Sequence, residues 1–435
     1  MRSEMGNFVN KLLAFYGPLT GWRSQALKNL GSLGAAQAAS LLLNFFLNIA
    51  LARLLTVERF GVYGLANNLI FILIVLGNFG LTGLGIRDVA RDTEQCPRYL
   101  KNILGLRIGF SLLASIIMAI VPLLMGKPRE VSHVIFVFAA GFFFLSLADS
   151  FRWVFNAFQA IGYEALVRFL ERALVLGLSL AVLLLGAGLK AVAWVFLGAQ
   201  LIQFLFSAAL VRRKFCRVSV SLDPPFCRYM LSESFYFALA ELFWSLYFYI
   251  DIVMLSYMKG DGPAGIYRAS YILVNACGTA PTVFMVVLFP VFSKLYAQSL
   301  EEFKKVYRKT LTLFLAAAIP LAVFLFIFAG PVINFFFSNR FADSVPIFRI
   351  LIFTIVFGFP SALFANVLSS ANRQKKQAQV NAIGALLNIT LNLVLIPRWS
   401  YWGAGAAALI TAAFVAVGLW FQIRSFLGSR CGVES

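Results

Sequence analysis

Three carboxylates, Glu233, Glu241 and Asp251, fall within one otherwise apolar run, 229 to 255, with no basic residue between Arg228 and Lys259 to neutralise them. A charge at the centre of an apolar layer costs at least about 2.5 to 3.5 kcal/mol, so each needs a partner, a wet cavity or a route to an interface. Glu241 is followed by Trp244 and Phe248 at i+3 and i+7, which puts the acid and two aromatic faces on one side of a helix. Two readings stand for it: a protonatable or cation-binding group beside a wall on which sugar rings stack, or half of an ion pair with an arginine of a neighbouring helix. Glu233 and Asp251, nearer the ends of the run, carry the same two readings. The embedded arginines are Arg107, Arg152, Arg268 and Arg349, with Arg53 at a helix boundary. A guanidinium stays charged and binds phosphate oxygens two at a time. Arg152 has Asp149 three residues earlier on the same face, and Arg172 sits beside Glu171 and Arg168, so both have a structural alternative close at hand. Asn44, Asn48 and Asn78, with Asn67 and Asn68, either bond sugar hydroxyls or join helices, a role worth about 0.6 to 2 kcal/mol per contact. His133 is the single histidine, and there is no HExxH, nucleotide-binding glycine loop or paired-cysteine motif, so no metal site, cofactor or catalytic constellation is expected.

The elements that must position these residues are membrane spans. The 435 residues are 61% hydrophobic and 13% charged, against roughly 45 to 50% and about 25% in soluble domains. Eleven uncharged stretches of at least 17 residues run 29 to 52, 60 to 86, 108 to 126, 131 to 148, 173 to 189, 191 to 211, 269 to 293, 310 to 339, 350 to 372, 377 to 397 and 399 to 423. A bilayer needs about 17 to 25 apolar residues per helix. The acidic run 229 to 255 is the twelfth. Continuous apolar runs exclude a barrel of alternating strands, so an all-α polytopic membrane protein of about twelve transmembrane helices is expected. The first span is too long for a signal peptide, and 8 to 16 is a candidate interfacial helix.

With the N-terminus inside, 24 of the 37 Lys and Arg fall in cytoplasmic segments and 8 in outer loops. That excess sets a cell-membrane topology with both termini cytoplasmic. The net charge of +19 then reads as a topology and anionic-lipid signal, and nucleic acid is not an expected partner because no basic segment forms a separate domain. Cys96, Cys216, Cys227 and Cys431 fall on the cytoplasmic side and Cys277 in a span, which fits reduced thiols without function. Short outer loops count against a glycan polymerase or ligase, whose catalytic residues sit in long ones.

Gly61-Val62-Tyr63 with Ala66 recurs as Gly265-Ile266-Tyr267 with Ser270, an offset of 204 residues, each triplet opening the second helix of a half. Six spans per repeat is even, so two six-helix bundles related by a pseudo-two-fold axis along the membrane normal are expected. The parts are an N-terminal tail (1 to 28), an N-lobe (29 to 211), a linker (212 to 228), a C-lobe (229 to 424) and a C-terminal tail (425 to 435). The cleft between the lobes is the expected transport path.

Several segments carry a family resemblance. Leu51-Ala-Arg-Leu-Leu-Thr-Val-Glu-Arg-Phe-Gly-Val-Tyr-Gly, then Gly77-Asn-Phe-Gly-Leu and Arg87-Asp-Val-Ala-Arg, resemble the opening of the polysaccharide flippases of the multidrug/oligosaccharidyl-lipid/polysaccharide exporter superfamily. Asp251-Ile-Val-Met-Leu, Gly265-Ile-Tyr, Pro281 and Phe289-Pro-Val-Phe-Ser look like its seventh and eighth helices, and Asn388-Ile-Thr-Leu-Asn-Leu-Val-Leu-Ile-Pro with Gly403-Ala-Gly-Ala-Ala like its eleventh and twelfth. The resemblance implies flipping of a polyprenyl-diphosphate-linked oligosaccharide to the outer leaflet. The arginines would then draw in the diphosphate, the asparagines and aromatic residues would meet the sugars, and an acid of the seventh span would couple to a proton or sodium ion. Membrane lipids and other polysaccharide-assembly proteins are the remaining implied partners. Lipid II flippases carry an Arg-Asp pair where this chain has Leu47 and Asn48, and many drug exporters an acid in the first helix where it has Gln37, Asn44 and Asn48; both departures favour the oligosaccharide reading over a cation-coupled drug antiporter.

Overall fold

The computed structural model describes residues 39–429. The N-terminal tail, the candidate helix 8 to 16, the start of the first span, and the end of the C-terminal tail with Cys431 lie outside the described residues. Every regular element among the described residues is helical. The N-lobe holds a first span Ala39–Leu54, a second Val57–Asn78 continued by Leu81–Val89, a third Cys96–Leu124, a fourth Arg129–Ala157, a fifth Ile161–Leu184 and a sixth Gly188–Lys214. The C-lobe holds a seventh Pro224–Lys259, an eighth Asp261–Gly278 continued by Ala280–Gln298, a ninth Leu300–Ile327, short helices Ala329–Phe337 and Ser344–Leu351, and a tenth Thr354–Ser370. The last two spans lie in Gln374–Ser429, where the chain folds back at Ser400 (φ 50°) and Gly384 and Gly418 pack against Val415 and Val380 across the hairpin.

Eight helices among the described residues are long and apolar enough to cross a membrane, nine if the bent eighth is one span. The last of these holds two spans, and the shorter first and more polar fifth complete the expected twelve. Short polar turns start the helices. Thr56 Oγ1 accepts the Arg59 N–H (3.3 Å), Asp223 caps the seventh span ahead of Pro224 and Pro225, and Ser299 Oγ accepts the Glu302 N–H (3.3 Å). Leu112, Leu113, Ile116, Ile120 and Leu123 of the third span are exposed, as a lipid-facing stripe should be, and Trp194, Trp399 and Trp402 stand exposed near span ends.

One face of the bundle carries the turn 90–95, the turn 158–160 and the linker 215–223; it is called the linker face. On the opposite face the two copies of the repeated triplet pack onto each other. A Cβ on Gly61 would overlap the Asp261 carbonyl and stand 3.0 Å from the Gly265 nitrogen; one on Gly265 would overlap the Val57 carbonyl and stand 3.2 Å from the Gly61 nitrogen. Adding the repeat offset turns the first pair of contacts into the second. The internal repeat is therefore a physical two-fold, and only glycine permits so close an approach of two backbones.

Candidate functional site

The described lobes meet along two kinds of seam. On the opposite face the second span crosses the eighth at Gly61 and Gly265, and polar side chains reach across around that point. The fully buried Arg268 of the eighth span donates through Nη2 to Asn48 Oδ1 of the first (2.8 Å) and lies over the Tyr63 and Phe60 rings (4.9 and 5.4 Å). Its aliphatic stem fills the space a Cβ on Gly64 would need. Lys127, from the turn after the third span, donates to Asp261 Oδ1 (2.7 Å) and to the Ser256 carbonyl and hydroxyl (both 2.9 Å). Arg53 donates to the Phe336 carbonyl (2.9 Å) and to that of Phe335, so it caps the C-terminal end of Ala329–Phe337.

The second seam joins the second and seventh spans from mid-span to the linker face. Asn68 Nδ2 donates to the Tyr249 carbonyl (2.9 Å), and Phe71 stacks on Tyr249 (4.5 Å). Lower down the second span breaks, with Phe79 (φ 47°) and Gly80 (φ 70°) both left-handed, and Gly80 lies so close to Ser234 and Phe237 of the seventh span that a Cβ would not fit. Arg107 stitches this break: from the third span its guanidinium donates to Asn78 Oδ1 before the break, Thr82 Oγ1 after it (2.5 Å), and the Ser146 carbonyl (3.1 Å). Asn78 turns its amide to Glu241 Oε2 (3.5 Å), so one asparagine lies between the buried cation and the acid. Arg87 pairs with Asp88 (2.7 Å) and reaches Glu233 (3.3 Å) at the linker face.

The structure thus places the expected residues in distinct settings. Arg268 and Asn48 come together at the lobe seam, and Arg107, Asn78 and Glu241 at the break. Glu241 shares its side of the helix with Trp244 and Phe248, whose rings lie 4.9 Å apart, with Trp244 exposed. Arg152 is held by Asp149 (2.5 Å) and by Glu164 (3.2 Å), which also binds Arg168 (2.8 Å). Arg349 is exposed over the Phe326 ring (5.5 Å), away from the others. Asn44 is half-buried, and its carbonyl accepts the Asn48 amide (2.7 Å).

Asp251 has the most complete cage. It is buried, accepts the Tyr267 hydroxyl and the Asn392 amide (both 2.7 Å), and Asn392 also donates to Asn388 Oδ1 (3.0 Å). Among the described residues no Lys or Arg pairs with it, and Asn388 Nδ2 and Asn392 Oδ1 are buried without partners. Each Asp251 oxygen thus accepts from a neutral donor, and the carboxylate sits in a buried cage of uncharged polar side chains. Asn388 and Asn392 were missed as site residues in the sequence; their i, i+4 spacing on an apolar helix was the available signal. Thr82, Ser146, Lys127 and Asp261 were missed because each acts across spans.

Comparison with known proteins places this geometry. The polysaccharide biosynthesis protein family model matches residues 26–296, and the MatE model residues 237–394. An uncharacterized membrane protein of Methanocaldococcus jannaschii is 25% identical over 315 residues, 68% of this chain and 60% of that one, so the chain spans less than two thirds of this relative's length. Among solved structures, an inward-facing multidrug resistance MATE family transporter superposes with a TM-score of 0.75 at 15% identity, over 91% of this chain and 96% of that one. The lipid II flippase MurJ, in an inward closed conformation, gives 0.77 at 15% identity, over 90% and 87%. Both neighbours have the two-lobed fold derived above, and the polysaccharide biosynthesis model covers more than half of the sequence. The chain therefore belongs to the polysaccharide biosynthesis protein family, among the transporters and flippases of the multidrug/oligosaccharidyl-lipid/polysaccharide exporter superfamily.

Proposed function

We propose that the chain flips a polyprenyl-diphosphate-linked oligosaccharide from the cytoplasmic to the outer leaflet of the cell membrane by alternating access, with both termini cytoplasmic. The observation that carries this reading is Arg268. A guanidinium sits at the lobe seam with an amide and two aromatic rings as its partners, its Nε unbonded, and no carboxylate paired with it among the described residues. A seam that parts on the opposite face uncovers this cation, with Arg53 on the same side, to an anionic cargo. A cationic drug would be repelled there. Arg107 and Arg152 lie toward the loading side, and Asn44, Asn48, Asn78, Trp244 and Phe248 are the candidates for sugar contact. Asp251, in its caged pocket, is the favoured coupling acid, ahead of Glu241 and Glu233.

The test is flipping of a labelled polyprenyl-diphosphate oligosaccharide in proteoliposomes. Arg268→Ala should slow it at least about tenfold, since a charge-assisted contact is worth about 1.5 to 3 kcal/mol, and Arg268→Lys should recover part of the rate. The MatE match over the C-lobe favours a second reading, a cation-coupled exporter of small molecules. Export of a cationic dye with no flipping of the lipid-linked sugar would establish that reading instead.

A further inference from the structure

Cys96 is the first residue of the third span and fully buried; Cys216 follows the end of the sixth span and is half-buried. They are 120 residues apart, yet their sulfurs stand 2.9 Å from each other. Both sides of this contact are fixed by other bonds. Phe215 packs among Phe155, Phe158 and Tyr163 (5.6, 5.2 and 5.8 Å). The linker that follows is tied to the third span where the Ser221 N–H donates to the Lys101 carbonyl (3.2 Å) and the Asp223 N–H to Asn102 Oδ1 (2.7 Å). Neither thiol belongs to a metal-binding group, since no cluster of three His, Cys, Asp or Glu occurs among the described residues.

We propose that Cys96 and Cys216 are a redox-active thiol pair, whose reversible disulfide staples the linker between the lobes to the base of the third span. Cys216 is the entry point because it is the more accessible sulfur. The hydrogen bond with Cys96 holds Cys216 below the ordinary thiol range against the opposing effect of burial, and Arg217 and Lys214 flank it in sequence. The oxidant is a low-molecular-weight disulfide. The Cys216 thiolate attacks one of its sulfurs, forming a mixed disulfide and releasing one thiolate. Cys96 then loses its proton to water, its thiolate attacks Cys216 Sγ, and the second small thiolate leaves. Two electrons pass from the protein to the small disulfide, and two small thiols are produced. In a reducing cytoplasm the pair stays open, and oxidative stress closes it. The other described thiols lack such a partner: Cys227 faces Asn102 Oδ1 (3.6 Å), and Cys277 lies within the eighth span.

The experiment treats the full purified chain with oxidised glutathione, alkylates the remaining thiols and maps them by mass spectrometry. Of the five cysteines, about two should become protected. An unreduced digest should yield one intrachain peptide pair joining Cys96 to Cys216, and dithiothreitol should restore all five. Cys96→Ser removes the resolving thiol, so this variant should instead trap one glutathione on Cys216; Cys96→Ala serves the same purpose if the serine variant does not fold. Full alkylation after oxidation, cross-links between chains, or glutathione resting on Cys216 of the unaltered protein would each overturn the proposal.

Discussion

Gly61→Ala is the sharpest perturbation of the lobe seam. The added methyl would overlap the Asp261 carbonyl oxygen and stand 2.8 Å from its carbon, and neither atom belongs to a side chain that can swing aside. The second and eighth spans must part by about 1.5 Å before that contact reaches ordinary van der Waals separation. Overpacking of this kind costs about 1 to 3 kcal/mol. The same retreat stretches the Arg268 to Asn48 bond and the Lys127 to Asp261 pair, now 2.8 and 2.7 Å, so the penalty falls on the arrangement closed at this face. A state in which the seam is already open pays none of it. The equilibrium should then move toward opening at the opposite face by about 5- to 150-fold. Spin labels at Lys190→Cys and Arg340→Cys, exposed positions of the two lobes on that face, read the change as a longer distance population. Gly83→Ala is the control, because a Cβ there meets nothing within 4 Å. A Gly61→Ala distance distribution matching that of Gly83→Ala would refute the role given to the crossing.

Asp251→Asn keeps the volume of the cage but removes its charge and replaces one acceptor with a donor; transport should continue with its dependence on a proton or sodium gradient weakened, and an unchanged dependence in proteoliposomes would remove Asp251 from coupling. Arg107→Ala removes the donor to Thr82 Oγ1 and the Ser146 carbonyl and leaves Asn78 Oδ1 only its bonds from Thr82; it should lower stability by about 3 kcal/mol, while Arg107→Lys, with one compact head for three separated acceptors, should recover only part of it; melting temperatures in detergent decide, and two values equal to the parent's would contradict the stitching role. Burial raises the Asp88 carboxyl, but hydrogen bonds from Arg87 and Tyr99 outweigh it and hold the group below the ordinary range. Its contribution to stability is therefore complete above the unfolded value of about 3.9 and is lost as the pH falls through the lower folded value. Asp88→Asn should abolish that acid limb in a melting-temperature profile, and an identical limb in both proteins would assign it elsewhere.

Much of this was legible in the sequence wherever the relation lay along one helix. The spans follow from uninterrupted apolar length, and the pairing of Arg152 with Asp149 from i, i+3 spacing. The two-fold follows from the repeat that contains Gly61 and Gly265, although nothing in the sequence shows that the two copies touch. Relations between helices depend on the rotation of each span about its own axis, and apolar runs without a strong amphipathic stripe do not encode that rotation. Glu241 drew attention because it sits mid-span beside aromatic residues, whereas Asp251, nearer an end, has the more complete set of hydrogen-bond partners, from Tyr267 of the eighth span and Asn392, itself bonded to Asn388, of the eleventh. The break at Phe79 and Gly80 was invisible for a different reason. A non-glycine residue with positive φ is stabilised here by side-chain contacts, the local bonds from Thr82 to Asn78 Oδ1 and the Arg107 guanidinium that binds both, and local backbone propensity argues against it.

The two seams differ in what holds them, and that difference bears on how the lobes can move. The closest approach of the second and eighth spans lies at the opposite face, where it is made of backbone on backbone with Arg268 and Lys127 around it. The seam of the second and seventh spans runs from Asn68 and Tyr249, mid-span, through Asn78 and Glu241 to Arg87 and Glu233 at the linker face. A motion that opens the opposite face must part the crossing there and can retain the seam that runs from mid-span to the linker face. The second–seventh seam is thus the natural pivot. Its lower half is suited to bending, because the second span is already broken there and the break is held by side-chain hydrogen bonds rather than by a continuous helical ladder. Arg107 and Glu241 then have a shared mechanical meaning through Asn78: a change in the charge of Glu241 alters the hold on the residue that Arg107 uses to fix the break.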